Sequence, residues 1–442
     1  MLGPNYARPE TPERGAWYEP LGPGLAAAPL DRAQLATWWS RLDDPVLTEL
    51  VARAVTGNLD VREARERVRE ANAHRDLARA ALYPMVRGKL TLSPAEPPRG
   101  SSNQATGLEA VWNPDFFGGL RRGVEAALGD LGASQEALRD VLVGVAAEVA
   151  QSYVDVRSFQ ARLAIAEQNL DAQTETLEIA SWRAQAGLTS ALDVEQARSN
   201  AEQTRAQIPS LRAGLEEARN RLAVLVGETP GTLAEPLAEA KPFPTVATDV
   251  AVGVPAEALQ QRPDVRHAER QLAAETARIG VASAEAYPSF SLTGLIGTKA
   301  ISLAGPEGIT AAAAANVVEV LFDHGAIRAK IRAQKAVREE SLARFQSTVL
   351  HALEDVEDRI TAYREDQDRR QGLAAAEASA ERAARFLRER YASGLVDFLA
   401  VLDANRSLFS LQDQLAVSQG QVVSDLIRIY RSLGGGWGAG EI

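Results

Sequence analysis

One uninterrupted stretch, residues 325–391, decides the fold: GAIRAKIRAQKAVREESLARFQSTVLHALEDVEDRITAYREDQDRRQGLAAAEASAERAARFLRERY. It contains no proline, and Gly372 is the one glycine inside it. From residue 342 its apolar residues recur in steps of three and four: Leu342, Phe345, Val349, Leu353, Val356, Ile360 and Tyr363. A repeat averaging about 3.5 residues indicates helices that supercoil along a packed seam. The stretch therefore predicts one helix that reaches roughly 100 Å at about 1.5 Å per residue.

An earlier stretch, residues 119–186, repeats this pattern. Its seam residues alternate in steps of four and three: Leu138, Leu142, Val145, Val149, Val156, Phe159, Leu163, Leu170 and Leu177, with Ser152, Ala166 and Gln173 at softer positions. Other landmarks recur 204 to 207 residues later: Asp60-Val61-Arg62 as Asp264-Val265-Arg266, Tyr83-Pro84 as Tyr287-Pro288, Gly119 as Gly325, and Gly187-Leu188 as Gly394-Leu395. This near-constant offset predicts an internal duplication.

Each repeat is predicted to hold a helix, two strands, a long helix and a returning helix. Proline-rich residues 1–44 indicate an extended, non-helical arm. The first repeat, 45–254, has a helix to residue 82, strands at about 85–92 and 104–112 around a turn at 94–103, the long helix 119–186, a returning helix 190–226 and a connector. The second, 255–442, has a helix, strands at about 288–298 and 311–322, the long helix 325–392, a returning helix 395–433 and a tail. Pro209 should kink or split the first returning helix.

The composition excludes several classes of function. The net charge of −11 shows no basic stripe, which argues against a nucleic-acid partner and fits either a solvated surface or an acidic, water-filled lumen. There is no cysteine, the four histidines have no metal-ligand spacing, and no run of 18 apolar residues predicts a transmembrane helix. No catalytic constellation can be assembled, so we predict no enzyme activity and no metal site.

The predicted strands need partners that one chain does not supply. Val86, Gly88 and Leu90 alternate with Arg87 and Lys89, as in a strand with one apolar and one polar face. Four such strands cannot close a barrel. Either they are edge strands of a soluble α+β protein, or three chains pool twelve strands into a membrane barrel with Arg87 and Lys89 facing its lumen. The fourth strand is the weakest prediction, because five alanines favouring helix precede the alternation at 317–322.

Several short motifs follow one another in a distinctive order. They are Gly3-Pro4-Asn5-Tyr6 with Arg8-Pro9, Trp112 with Phe117-Gly118, Gly187-Leu188 through Leu192-Asp193-Val194, Arg262-Pro263-Asp264-Val265-Arg266 with Ala268-Glu269, Tyr287-Pro288, Leu321-Phe322-Asp323, Leu399 to Asp403-Ala404, and Tyr430 with Leu433-Gly434-Gly435-Gly436-Trp437. No single motif is specific. The ordered set resembles the TolC-like outer-membrane efflux protein family, and most closely its lipoprotein branch, the OprM-like or NodT-type factors of RND tripartite multidrug efflux pumps.

The resemblance implies a mainly α fold with a membrane β-barrel. A homotrimer would form a twelve-stranded β-barrel through the outer membrane, continued across the periplasm by a twelve-helix α-barrel of long coiled-coil helices. It would passively conduct drugs and other small molecules, with a periplasmic gate that opens on docking to a periplasmic adaptor and an inner-membrane RND-type pump. Outer-membrane lipid would surround the barrel. The lipoprotein branch has an acylated cysteine just before the Gly-Pro motif, where Met1 stands here, so we expect lipidation in the native precursor but not on this chain, and no other cofactor.

The resemblance also implies roles for single residues. The breaks at Gly187-Leu188 and Gly394-Leu395 would be periplasmic tips that dock the adaptor, although a plain helical-hairpin turn would look the same. Leu399, Asp403 and Arg406 share one helix face and match the family's closed constriction, whereas without the family Asp403 and Arg406 would be an ordinary surface pair. Asp193 and Tyr391 match positions that join the tip helices by hydrogen bonds.

Two other functions fit parts of the pattern. A type I protein-secretion duct shares the long helices, but the Gly-Pro-Asn-Tyr start and the Gly-Gly-Gly-Trp end favour the multidrug branch. A soluble coiled-coil scaffold would explain the helices but not the strands that follow Tyr83-Pro84 and Tyr287-Pro288. The sequence therefore favours an outer-membrane exit duct.

Overall fold

The structure is a computed structural model that describes residues 1–10, 15–29, 31–93, 103–244, 250–300 and 308–438. The turn expected at residues 94–103 lies, apart from Asn103, outside the described residues, as does Pro12 of the N-terminal arm. Within these ranges, no helix is both long and apolar enough to cross a membrane.

The first half of the chain alternates helices and strands as the periodicity predicts. In chain order its elements are β1 (Leu25–Ala26), α1 (Arg32–Ala36), a short 3-10 helix (Trp38–Leu42), α2 (Pro45–Gly57), α3 (Leu59–Ala80), β2 (Met85–Ser93), β3 (Asn103–Trp112), α4 (Gly119–Gln185) and α5 (Ala191–Leu225).

The second half repeats this order. Its elements are β4 (Val250–Ala251), α6 (Pro255–Gln261), α7 (Pro263–Ala284), β5 (Ser289–Ala300), β6 (Ile309–Val318), α8 (Ala326–Ala392) and α9 (Phe398–Ser432). The long helices α4 and α8 have 67 residues each, and the returning helices α5 and α9 have 35 each. Equal helix lengths in both halves are what an internal duplication produces.

Two predictions for the first 82 residues were wrong. The arm 1–44 is not wholly extended, because the Asp31 side chain accepts hydrogen bonds from the backbone N–H groups of Ala33 and Gln34 and begins α1. The helix expected from residue 45 to 82 is two helices, broken at Asn58. The Asn58 side-chain oxygen accepts from the backbone of Asp60 and Val61, and so caps a second helix.

Pro209 does not split the returning helix, because α5 continues through it from Ala191 to Leu225. A proline inside a helix costs about 3 kcal/mol or more through its lost hydrogen bond and its ring. Ile208 and Leu211 are buried on both sides of the proline and pack with Ala166 of α4. Burial of these apolar side chains, at roughly 1.5–3 kcal/mol each, is large enough to offset that cost.

The fourth strand is displaced toward the alanines. β6 spans Ile309–Val318 instead of residues 311–322, and Leu321 and Phe322 lie beyond its end. Its alanines pair with β5 in an antiparallel ladder, for example Ala311 with Ile296. The ladder hydrogen bonds therefore outweigh the helix preference of alanine.

Contacts divide the chain into two compact units. The first comprises Met1–Thr11, Ala64–Ala137 and Asp264–Val349. Its antiparallel sheet has the order β2-β3-β5-β6. The buried Arg122 guanidinium fastens the N-terminal segment, donating to the carbonyl oxygen of Leu2 at 3.0 Å and to Asn5 Oδ1 at 2.7 Å. The Gly-Pro-Asn-Tyr motif therefore has a structural role in this unit.

The second unit comprises Pro12–Glu63, Leu138–Pro263 and Leu350–Ile442. In it β1 of the arm pairs in parallel with β4 of the connector. Trp38 is fully buried and stacks on Tyr430, with ring centroids 5.0 Å apart. A Cβ on Gly435 would lie 3.0 Å from Leu35 and from Trp38, so the glycine-rich C-terminal motif permits close packing against the arm.

Candidate functional site

The first helical turn, at Gly187-Leu188, ends α4 and begins α5. Gly187 has a φ of 72°, in the left-handed region that favours glycine. The Leu188 N–H donates to the carbonyl of Arg183 at 2.8 Å, and the Gly187 N–H donates to that of Ala184 at 3.0 Å. This pair of hydrogen bonds is a Schellman motif, which satisfies the last carbonyls of α4. Leu188 is left 69% exposed at the turn.

The second turn, at Gly394-Leu395, has the same geometry. Gly394 has a φ of 76°, and the N–H groups of Leu395 and Gly394 donate to Arg390 and Tyr391 at 2.9 Å. Leu395 is 73% exposed. Each turn therefore presents a leucine that its own helices do not cover.

Asp193 serves its own helix. In a capping box at the start of α5, the Asp193 carboxylate accepts from the backbone N–H of Ser190 at 3.0 Å, while the Asp193 N–H donates to the Ser190 hydroxyl. The Thr189 hydroxyl donates to the same carboxylate at 2.5 Å. These hydrogen bonds, led by that from Thr189, hold the pKa of Asp193 below its ordinary value.

Tyr391 joins two helices through its ring and its backbone. The Arg183 guanidinium of α4 lies 4.5 Å from the Tyr391 ring centroid and donates to the Tyr391 carbonyl at 3.3 Å. The ring also packs on Phe398, with centroids 5.3 Å apart. Its hydroxyl is buried and has no hydrogen-bond partner among the described residues. The structure thus brings Tyr391 to Arg183, which the sequence analysis did not single out, and not to Asp193.

The three residues predicted for a constriction share the start of α9. Leu399 is 47% exposed, and the Asp403 and Arg406 side chains are also exposed. Asp403 and Arg406 lie 3.9 Å apart, the loose surface pair that the spacing allows. The firmer contact of Arg406 is across helices, because its Nε donates to Asn200 Oδ1 of α5 at 2.7 Å.

Asn200 is a residue that sequence reasoning missed. It is 4% exposed, and its side-chain nitrogen has no partner among the described residues. It lines a polar cleft of about 710 Å³ between α4, α5 and α9, together with Gln173, Arg406 and Asp413. The sequence could have indicated Asn200, because a polar side chain at a buried position between helices needs a hydrogen-bond partner on another helix.

The strand ladder places Arg87 and Lys89 on one face of the sheet. Arg87 is directly opposite Glu109, and its Nε donates to the Glu109 carboxylate at 2.6 Å. The other face is mostly apolar, and its large apolar residues are exposed in the single chain: Val86, Leu90, Leu108, Leu292 and Ile296. Strands of 9 to 12 residues with one exposed apolar face match the dimensions of membrane-spanning strands.

In the part of the chain that the structure describes, no three His, Cys, Asp or Glu side chains form a group that could hold a metal ion. The candidate residues described above lie at two helical turns, at the start of α9 and on one face of the sheet.

Known proteins resemble the chain over its whole length. The sequence model of the family described as outer membrane efflux protein matches residues 50–228 and 254–435. Nodulation protein T of Rhizobium leguminosarum bv. trifolii is 33% identical over 454 residues, covering 100% of this chain and 94% of that protein. The toluene efflux pump outer membrane protein TtgF of Pseudomonas putida is 30% identical, covering 99% and 94%. The solved structure of the outer-membrane channel OprN is 33% identical with a TM-score of 0.90, covering 99% of each chain.

Proposed function

The chain belongs to the outer membrane efflux protein family, and we propose that three copies of it close a single exit channel. The protein is an outer-membrane efflux component and not an enzyme. It has the TolC-like fold of a β domain joined to long helices, and it extends from the outer membrane into the periplasm. It works with the other components of an efflux pump, an adaptor and an inner-membrane pump.

The sheet carries the proposal of a trimer. Among the described strands, β2 pairs only with β3 and β6 pairs only with β5, so both edges are open. Unpaired backbone groups at such an edge cost several kcal/mol each in a bilayer. Three copies supply twelve strands, enough to close a barrel with a water-accessible interior. Arg87, Lys89 and Glu109 then line the lumen, and the exposed apolar face meets lipid.

The relatives support a small-molecule cargo. The name of one relative specifies toluene efflux, and another, from Pseudomonas aeruginosa, specifies pyoverdine export. We propose that this chain conducts small molecules of more than one class, as part of an RND-type tripartite pump, and we prefer this to protein secretion. We also propose the repeat boundaries 45–254 and 255–442, and the N-terminal lipidation of the precursor. Mass spectrometry of the mature protein tests the lipidation.

We propose that the two turns dock the adaptor and that α9 forms the gate. The exposed leucines Leu188 and Leu395 are apolar contacts for a partner at the turns. Leu399 and Asp403 form threefold rings at the tunnel end, with Arg406 holding α9 to α5 through Asn200. Asp193 stabilises the start of α5, to which Arg406 is bonded, and Tyr391 packs on Phe398 at the start of the helix that carries these rings. Like charges in an Asp403 ring repel, so the closed state needs the neighbouring guanidinium or cations.

The function is tested on the purified protein in detergent and in a planar bilayer. Light scattering should give about three times the 47.4 kDa chain mass, and the bilayer should show a small conductance of a closed channel. A monomer or dimer that stays soluble without detergent would exclude the channel.

The gate is tested by Asp403→Ala, with Gln196→Ala at the matched position of the first repeat as control. We expect the conductance to rise in Asp403→Ala and to stay at the wild-type level in Gln196→Ala. Equal conductance of the wild type and both variants would show that Asp403 is not part of the gate.

Leu188→Glu combined with Leu395→Glu should abolish export from cells without changing the mass of the purified protein. Unimpaired export would show that the turns do not dock the adaptor.

A further inference from the structure

A buried carboxyl group lies on α9, about twenty residues after the proposed gate. Asp425 is 0% exposed. One oxygen, Oδ1, accepts from Gln421 Nε2 and from Arg428 Nη1, both at 2.9 Å. The other, Oδ2, is buried and has no donor among the described residues. An ionised carboxylate in that position leaves one oxygen unsatisfied, which is costly away from water.

The group that faces Asp425 is a second carboxyl. Asp366 of α8 lies within hydrogen-bonding reach of Asp425. Its side chain is 22% exposed, and its nearest cation, Arg369, is 3.8 Å away. Two ionised carboxylates can only accept hydrogen bonds, so they repel each other, whereas one shared proton turns the contact into a donor–acceptor pair.

Arg428 links Asp425 to further charged groups on two other helices. Asp155 of α4 is exposed in the single chain. Partial desolvation by the surrounding protein raises the pKa of its carboxyl above the ordinary value, while Arg221 of α5 and Arg428 of α9 favour its charged form. The cluster thus holds the carboxyls of Asp155, Asp366 and Asp425 and the guanidinium groups of Arg221, Arg369 and Arg428. When all six groups are ionised, their net charge is zero. Asp425 then still faces the negative charge of Asp366, which Arg428 does not separate from it.

We infer that Asp366 and Asp425 form a proton-binding site in which one proton, shared between the two carboxyl groups, joins α8 to α9. Burial, followed by the contact with Asp366, raises the pKa of Asp425 to about 6. Because the folded value lies above the ordinary one, the folded protein binds this proton more tightly than the unfolded chain. The contact is therefore strongest in acid and weakens as the pH rises through about 6. In the periplasm this site makes the α8–α9 pair tighter when the medium is acidic.

The direct test is infrared spectroscopy of the purified full-length protein, titrated between about pH 5 and about pH 8. We expect the wild type to show a protonated-carboxyl band that disappears with a midpoint near pH 6. The band should be missing in Asp425→Asn. In Asp366→Asn the midpoint should fall below about pH 5, because an amide can donate to Asp425 Oδ2. Asp368→Asn, an exposed carboxyl on the same helix, should titrate like the wild type.

Thermal unfolding gives a second measurement. The difference in Tm between the wild type and Asp425→Asn should change by a few degrees over the same pH range, with the wild type gaining in acid. A wild-type spectrum without a titrating carboxyl band, or a band that Asp366→Asn leaves unshifted, would overturn the assignment. Neither readout requires a conducting channel, so this inference can fail while the proposed function stands.

Discussion

The two helical turns have the same backbone but differ in what surrounds it. Both end a long helix with a glycine of positive φ and a Schellman motif. Counted from the glycine, Tyr391 and Phe398 of the second turn stand where the first has Ala184 and Ala191. Phe398 is buried with Ala180, Ala197 and Leu402, while Ala191 is exposed. The two repeats therefore share the backbone of the turn, whereas the aromatic packing and the proposed gate are in the second repeat.

The largest difference between the turns should come from Phe398. Phe398→Ala removes a buried ring that packs against α4 and α5, and truncation of buried phenylalanine costs about 3–5 kcal/mol. We expect the free energy of local opening at the start of α9, measured by native-state hydrogen exchange, to fall by this amount. The matched Ala191→Gly change should cost below about 1 kcal/mol at the first turn. Similar losses at both turns would contradict the comparison.

The next effect concerns the bond between the returning helices. Asn200→Ala removes the acceptor of Arg406, and hydrogen bonds to charged groups contribute about 1.5–3 kcal/mol. Faster amide exchange in α9 around Arg406 is the expected result. Ser407 occupies the position of Asn200 in the second repeat and is exposed. Ser407→Ala should therefore change the free energy of local opening, measured by amide exchange, by less than about 0.5 kcal/mol. An unaltered exchange rate in Asn200→Ala would make the contact energetically neutral.

The glycines should show where the turns are alike. Gly187→Ala and Gly394→Ala each place a Cβ in the left-handed region, at about 1–2 kcal/mol. The costs should be equal, since no heavy atom of the described residues lies within 4 Å of the added Cβ at either site. Gly144 lies within α4 with equally open surroundings, and Gly144→Ala should stabilise by up to about 1 kcal/mol. Hydrogen exchange of the amides around each substituted glycine measures the three free-energy changes. Unequal costs at the two turns would reveal a contact that this comparison leaves out.

The smallest expected effect is a pH dependence of the first turn that comes from Asp193. The pKa of Asp193 is lowered in the folded protein, so its contribution is full above the ordinary value and is lost as the pH falls through the lowered one. Exchange at residues 187–193 should accelerate in acid, and Asp193→Ala should remove that acceleration. Ala400 stands at the matched position of the second turn, so Asp193→Ala reproduces the second repeat there. Persistence of the pH dependence in Asp193→Ala would assign it to another group.

Periodicity predicted the long helices well, because their seams span many turns and the 204-to-207-residue offset adds a second copy of each signal. Breaks that depend on one side chain were harder to predict. Asn58 follows Gly57 at the end of α2 and caps the next helix, and Pro209 is tolerated where Ile208 and Leu211 are buried. In β6 the ladder with β5 decides the conformation of the alanines, which no local pattern contains.

The positions that make up the candidate site could be predicted from the sequence, but the contacts between their side chains could not. The glycine turns and the face of Leu399, Asp403 and Arg406 follow from spacing alone. The contacts of Arg406 with Asn200 and of Tyr391 with Arg183 join residues about 206 and 208 positions apart, and such pairs depend on how helices pack. A single sequence gives the residues that face a seam, but not which two of them meet across it.

The open edges of the four-stranded sheet also bear on how the channel is made. With β2 and β6 each paired on one side only among the described strands, a lone chain in the bilayer carries two rows of unsatisfied backbone groups. If three chains close the sheet, insertion and assembly become one cooperative event whose yield rises steeply with chain concentration. Dilution during refolding would then arrest the protein outside the membrane, and cells that make little of it would gain almost no channels until a threshold is passed.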